Sequence, residues 1–179
     1  LSAGTAAADM PQSFGILEFG TDNTLCVADS AAGAIHAYTL PAGGTAPEQD
    51  AAFNLLDVDQ FVAEALGVSG RRVYSDLAVH PVTRDAYVSV TATVDGADAG
   101  AEVTVSRDGT ARVLDLSAIA STQFMLEAPA DASVTFWRDI PAPSLTITDL
   151  DFANGELFVS GVSTGEFAAT LRRVPYPFV

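Results

Sequence analysis

From Gly15 onward the apolar residues come in short runs broken by Gly, Asn, Asp or Ser, the pattern of short β-strands joined by tight turns. Ser144–Val179 shows it most clearly. Its apolar runs 145–152, 157–160 and 169–174 are separated by Asn154-Gly155 and by Ser163-Thr164-Gly165. Asn-Gly accepts the positive φ values of a two-residue type I′ turn, so the first two runs are predicted to be antiparallel neighbours. An earlier meander runs through 16–19, 25–29 and 34–40, with turns at 20–23 and 31–33. A third occupies 73–80, 86–92, 102–106 and 112–116. The openings overlay: Leu17-Glu18-Phe19 on Leu77-Ala78-Val79 and on Leu150-Asp151-Phe152.

Two segments break the strand pattern. Val58, Phe61, Val62, Ala65 and Leu66 recur at helical spacing, with Asp57 placed to cap the N-terminus and Gly67 to end the helix, which predicts a short amphipathic insertion over 57–67. Ser117–Pro143 has no clear period and ends in a Pro-rich stretch, so a long loop insertion is expected there, of the kind that lies over a binding surface. Leu1–Gln12 also lacks periodicity and reads as a mobile lead-in; its small, polar character suits a mature chain after signal removal and implies a periplasmic or extracellular location.

At this point a resemblance has residues to stand on. Asp76–Val90, DLAVHPVTRDAYVSV, resembles the blade signature of NHL-like and YVTN-like β-propellers. The segment 147–178, ending in TLRRVPYPF, is similar to part of a family of secreted bacterial propeller proteins without an assigned activity. The fold that this implies is all-β: about three blades of an incomplete β-propeller over 13–179, with one inserted helix and one long loop insertion. Three blades do not close a propeller, so the ring would be completed by another chain or by further blades. Members of that family continue with more blades and a His-containing segment.

Charge narrows the partners. The chain carries 23 acidic residues against eight basic ones, all Arg, for a net charge of −15. Binding to duplex nucleic acid or to an anionic membrane surface needs a basic patch, and no run of basic residues supplies one. No apolar run approaches the ~20 residues that a membrane-spanning helix requires, so no membrane insertion is expected.

Candidate chemistry is sparse. Asp76 and Asp149 hold matching places, Ser75-Asp76-Leu77 and Thr148-Asp149-Leu150, at the start of the expected innermost strands. There they would either face the axial channel as part of a carboxylate ring holding a metal ion (copper, calcium or another) or a polar small-molecule ligand, or cap turns through neighbouring backbone N–H groups. The first blade has Ile16 at that place. His36 is expected at a half-exposed strand position and His80 in turn packing, too far apart to share a metal. Cys26, between Leu25 and Val27, reads as a small buried hydrophobe. Arg172 and Arg173 on the last strand pair with an acid and with solvent, or bind an anion; Trp137 covers the insertion or lines a pocket. No nucleophile elbow, phosphate-binding loop or calcium loop occurs. The leading function is a metal- or quinone-dependent oxidoreductase, by analogy with quinoprotein propellers, with its site at the axial channel completed by residues outside this chain; the alternative is a non-catalytic ligand- or protein-binding scaffold.

Overall fold

A computed structural model describes residues 10–46, 54–164 and 168–178. Strands β1 (Leu17–Phe19), β2 (Thr24–Asp29) and β3 (Ala34–Thr39) form the first meander. The helix α1 (Val58–Leu66) follows, bounded as predicted: the Asp57 carboxylate accepts the Gln60 N–H, and Gly67 closes the helix in the left-handed conformation. Next come β4 (Arg72–Val79), β5 (Ala86–Val94), β6 (Ala97–Val105) and β7 (Ala111–Val113). The 117–143 segment is not one loop. It contains β8 (Ser121–Met125) and the short pair β9 (Thr135–Phe136) and β10 (Ile140–Pro141). The chain ends in β11 (Asp149–Ala153), β12 (Glu156–Val162) and β13 (Ala169–Pro175).

All pairings are antiparallel, and the fold is mostly β. The sheets are β1-β2-β3-β8, β4-β5-β6-β7, β11-β12-β13 and the two-stranded β10-β9. Asn154 and Gly155 have φ of 53° and 80°, and Ala153 pairs with Glu156 across them, so this two-residue turn sets the register of β11 on β12. The expected run 145–152 does not form one strand. A 3₁₀ turn over Ala142–Leu145 precedes β11, and it packs so close to β12 that a Cβ on Gly161 would fall on the Thr146 carbonyl.

The expected three-stranded first meander is also completed. β8 pairs with β3 from Ala34↔Met125 to Tyr38↔Ser121, after the whole second sheet has been built. Pairing across that sequence distance brings the chain back to the outer edge of the first sheet, and the third sheet then docks on the face opposite the second. The first sheet therefore lies in the middle. Its Leu17, Leu25, Val27 and Tyr38 face the second sheet around Phe14, Leu116, Ala78 and Tyr87. Its Cys26, Ala28, Ile35 and Ala37 face Leu150, Leu157, Val159 and Val174 of the third. With both faces covered, every residue of β2 is buried. The far face of the second sheet, Val88, Val90, Val103 and Val105, is roofed by α1 through Val62, Ala65 and Leu66. Asp59 ties the helix to β4, accepting from Arg72 Nε (2.8 Å) and Tyr74 Oη (2.6 Å).

Candidate functional site

The first strands of the three large sheets run beside one another, β1 contacting both β4 and β11. On β4 the pairing with β5 slips between Tyr74 and Asp76, so Ser75 is an extra residue and Asp76 is turned toward β1. Asp76 Oδ2 accepts the Leu17 N–H at 2.9 Å, a bond between sheets rather than a local turn cap. Asp149 behaves differently: its Oδ1 accepts the adjacent Leu150 N–H at 3.0 Å. The two predicted acids meet only indirectly, around Glu18 of β1. Burial raises the Glu18 carboxyl above its ordinary pKa, and the charges of Asp151, Asp149 and Asp76 push it the same way, against a hydrogen bond from the Phe152 backbone.

Glu18 and Asp151 were missed as site residues, although the overlay of strand openings places one on the other. Side-chain charge gathers there without chelating geometry. Among the described residues no three or more His, Cys, Asp or Glu side chains come together closely enough to hold a metal ion.

Beside the acids, where the chain enters β1 and β11, lies a cavity of about 450 Å³. Its wall combines the hydroxyl residues Ser13, Ser30, Ser75, Thr91 and Ser144 with apolar surface such as Phe14 and Ile147. Several hydroxyls also hold the wall together. Ser30 Oγ donates to the Ile147 carbonyl (3.1 Å), Ser13 Oγ to Asp29 (2.9 Å) and Ser144 Oγ to the Pro141 carbonyl (2.7 Å). Asp29 further accepts the amides of Gln12, Ser13 and Ala32. Burial opposes its ionisation, but these bonds and one from His36 outweigh burial and hold the carboxyl at about 2. The end of the expected lead-in is therefore fixed: Pro11 is buried and Gln12 is bonded, while residues 1–9 lie outside the described residues.

The imidazoles stand apart, as expected, but His36 is fully buried rather than half-exposed. Its Nε2 lies 3.5 Å from Asp29 Oδ2, and its ring stacks on Tyr38. The reason is β8, whose Gln123 covers it from the strand edge. His80 Nδ1 accepts the Val82 and Thr83 amides, both at 3.1 Å, and its ring packs edge-on against Phe19. Cys26 is buried in the apolar interface, which pushes its thiol to about 12. Arg173 pairs with Glu156 (3.3 Å), and Arg172 donates to Thr170 and to the Glu127 and Ala128 carbonyls. Trp137 is exposed, with the Arg138 guanidinium 4.0 Å above its ring centre.

One buried group escaped sequence reasoning altogether. Glu102 on β6 is 1% exposed, accepts a 2.7 Å hydrogen bond from Ser89 on Oε1, and has no partner for Oε2 among the described residues. Burial pushes its carboxyl up to about 8, with the Asp76 charge adding and the Ser89 bond opposing. Tyr38 Oη and His36 Nδ1, on the strand facing it, are likewise buried without partners among the described residues. Alternation in EVTV assigns Val103 and Val105 to the core and Glu102 to water, but here the opposite face of the strand is covered by the first sheet.

No protein-family model, no curated protein and no solved structure matches the chain.

Proposed function

We propose that this chain is a sector of a β-propeller that works as a binding module, with further sheets stacked on its two outer sheets and a polar, cationic small-molecule ligand received where the first strands converge. One observation carries the reading. The middle sheet is sandwiched on both faces, whereas at either end the packing surface is covered only in part: α1 roofs the side of the second sheet away from β4, and Leu77, Val79 and Leu171 are left out. Leu77 and Val79 on β4 are 56% and 49% exposed, and Leu171 on β13 is 76% exposed. Apolar sheet faces of this kind are normally covered. Grooves beside them, of about 430 Å³ along Val58, Tyr74 and Leu77 and about 250 Å³ along Phe158 and Leu171, are rimmed by Asp76 and by Asp149.

The convergence of Glu18, Asp76, Asp149 and Asp151 gives this junction a negative field, which draws a cation without fixing it. The remaining ligand groups would come from the sheets that complete the ring. A secreted setting suits the acidic surface. The test is a low-salt calorimetric titration of natively purified protein with calcium and with a polyamine, repeated on Asp76→Asn/Asp149→Asn. Asn keeps the acceptor oxygen used by Leu17, so a tenfold or greater loss of affinity with an unchanged melt supports the reading. Equal affinity in both proteins overturns the ligand site. A stoichiometric transition metal or a visible chromophore in the same material would instead favour the metal- or quinone-dependent oxidoreductase.

A further inference from the structure

The first and second sheets each have four strands, the third only three. Among the described residues nothing pairs with the far side of its outer strand, β13. The Ser163 N–H bonds the Ala168 carbonyl and the Tyr176 N–H bonds the Gly155 carbonyl, which fixes the phase of the β12–β13 ladder. Residues 168, 170, 172, 174 and 176 turn their backbone groups toward β12. Ala169, Leu171 and Arg173 turn theirs away, and no described residue bonds them. Leu171 is also the most exposed aliphatic side chain of the three large sheets. Only Pro175, which has no N–H, blunts the far end of this edge.

We propose that this edge pairs antiparallel with the same edge of a second copy of the chain, centred on Leu171. The sequence is self-complementary in that register. Leu171 faces Leu171 of the partner subunit, Arg173 faces Ala169 of the partner subunit, and Arg172 faces Thr170 of the partner subunit. Each guanidinium thus lies opposite a small uncharged residue, and the outward N–H and C=O groups of Ala169, Leu171 and Arg173 close into one continuous ladder. A slip by two residues toward the C-terminal end would set Arg172 against Arg172 of the partner subunit, and one the other way would separate the two Leu171 side chains. The strand has no acidic residue, so the repulsion between two chains of −15 acts from a distance and is screened by salt. Leu171 also lies on the outer face invoked above, but the pairing is made by the outward backbone groups of the strand edge, which a sheet stacked on that face would leave free.

The test combines light scattering with amide hydrogen exchange on the full chain. The expected result is a species of twice the 18.5 kDa chain mass at high protein concentration, strengthened by salt, with concentration-dependent protection of the Ala169, Leu171 and Arg173 amides. Ala169→Pro and Arg173→Pro each remove one outward N–H and leave Leu171 and every β12–β13 bond in place. Both should return the protein to a monomer with an unchanged melt, and a variant that fails to fold leaves the exchange pattern of the wild type to decide. A wild-type monomer, a dimer that persists in both folded variants, or protection of these amides independent of concentration would overturn the proposal. The last result would mean that the chain itself covers the edge.

Discussion

The middle sheet has two interfaces, and they differ in kind. Toward the third sheet it presents Cys26, Ala28, Ile35 and Ala37 to Leu150, Leu157, Val159 and Val174, and Thr24 hydrogen-bonds Tyr176 at 3.1 Å. Toward the second sheet the apolar cluster around Leu25, Val27 and Tyr38 is flanked by His36, Glu102 and Ser89, all buried. The first interface rests chiefly on buried apolar area, with Glu18 and the Thr24–Tyr176 hydrogen bond at its margin. The second holds an acid whose neutral form is the one that burial favours, so its strength depends on the proton. Two faces of one strand pair thus give the protein a chiefly apolar joint and a titratable one built over a fully buried acid.

The titratable joint gives the largest expected effect. With an ordinary pKa of 4.5 and a folded value of about 8, Glu102 keeps its proton in the folded state over a range where the unfolded chain releases it. Below pH 4.5 it carries no penalty; stability then falls as pH rises toward 8 and levels off beyond. Linkage sets the loss at up to about 5 kcal/mol. Denaturant melts from pH 4 to 9 should show this slope in the wild type and a much flatter one in Glu102→Gln; parallel slopes would remove Glu102 as the cause.

On the apolar side, Leu157→Ala should cost about 2–5 kcal/mol at every pH, because Leu157 is fully buried and the two sheets cannot collapse freely around the gap. A cost that varied with pH would blur the distinction between the interfaces. Asp29→Ala should lower stability by about 1–3 kcal/mol at neutral pH, since it leaves the amides of Gln12 and Ala32 unpaired. The wild-type counterpart is an acid-labile step: a carboxyl held at about 2 contributes above its ordinary value of 3.8 and loses that contribution as pH falls through 2. The smallest effect belongs to Arg173→Ala. Its bond to Glu156 lies on the surface, outside both interfaces, and the change should stay within about 0.5 kcal/mol by thermal melt.

Local order was legible in the chain because it is encoded locally. Asn154-Gly155 names its turn, Asp57 and Gly67 name the ends of α1, and alternation through 86–92 and 102–106 names β5 and the second half of β6, whose first half, from Ala97, reads as a polar loop. What escaped was decided at a distance. Ser121–Met125 has no pattern of its own, and it becomes a strand because β3 offers an edge. That pairing buries His36, and the return of the chain sets the first sheet between the other two. Glu102 was hidden for a related reason: period-two alternation marks one face of a strand as polar, but cannot say that a second sheet covers it. At the candidate site, Asp76 and Asp149 were legible as equivalent positions. The bulge at Ser75 that turns Asp76 to Leu17, and the burial that makes Glu18 the perturbed carboxyl, depend on how the sheets stack.

The most direct test of the stacking is an experimental structure of the protein purified natively with whatever it retains. Propeller assembly predicts further β-sheet packed over Leu77 and Val79 on one side and over Phe158 and Leu171 on the other, with Glu18, Asp76, Asp149 and Asp151 facing a common channel. Leu77, Val79, Phe158 and Leu171 left exposed to solvent, with the four acids turned to separate surfaces, would contradict it.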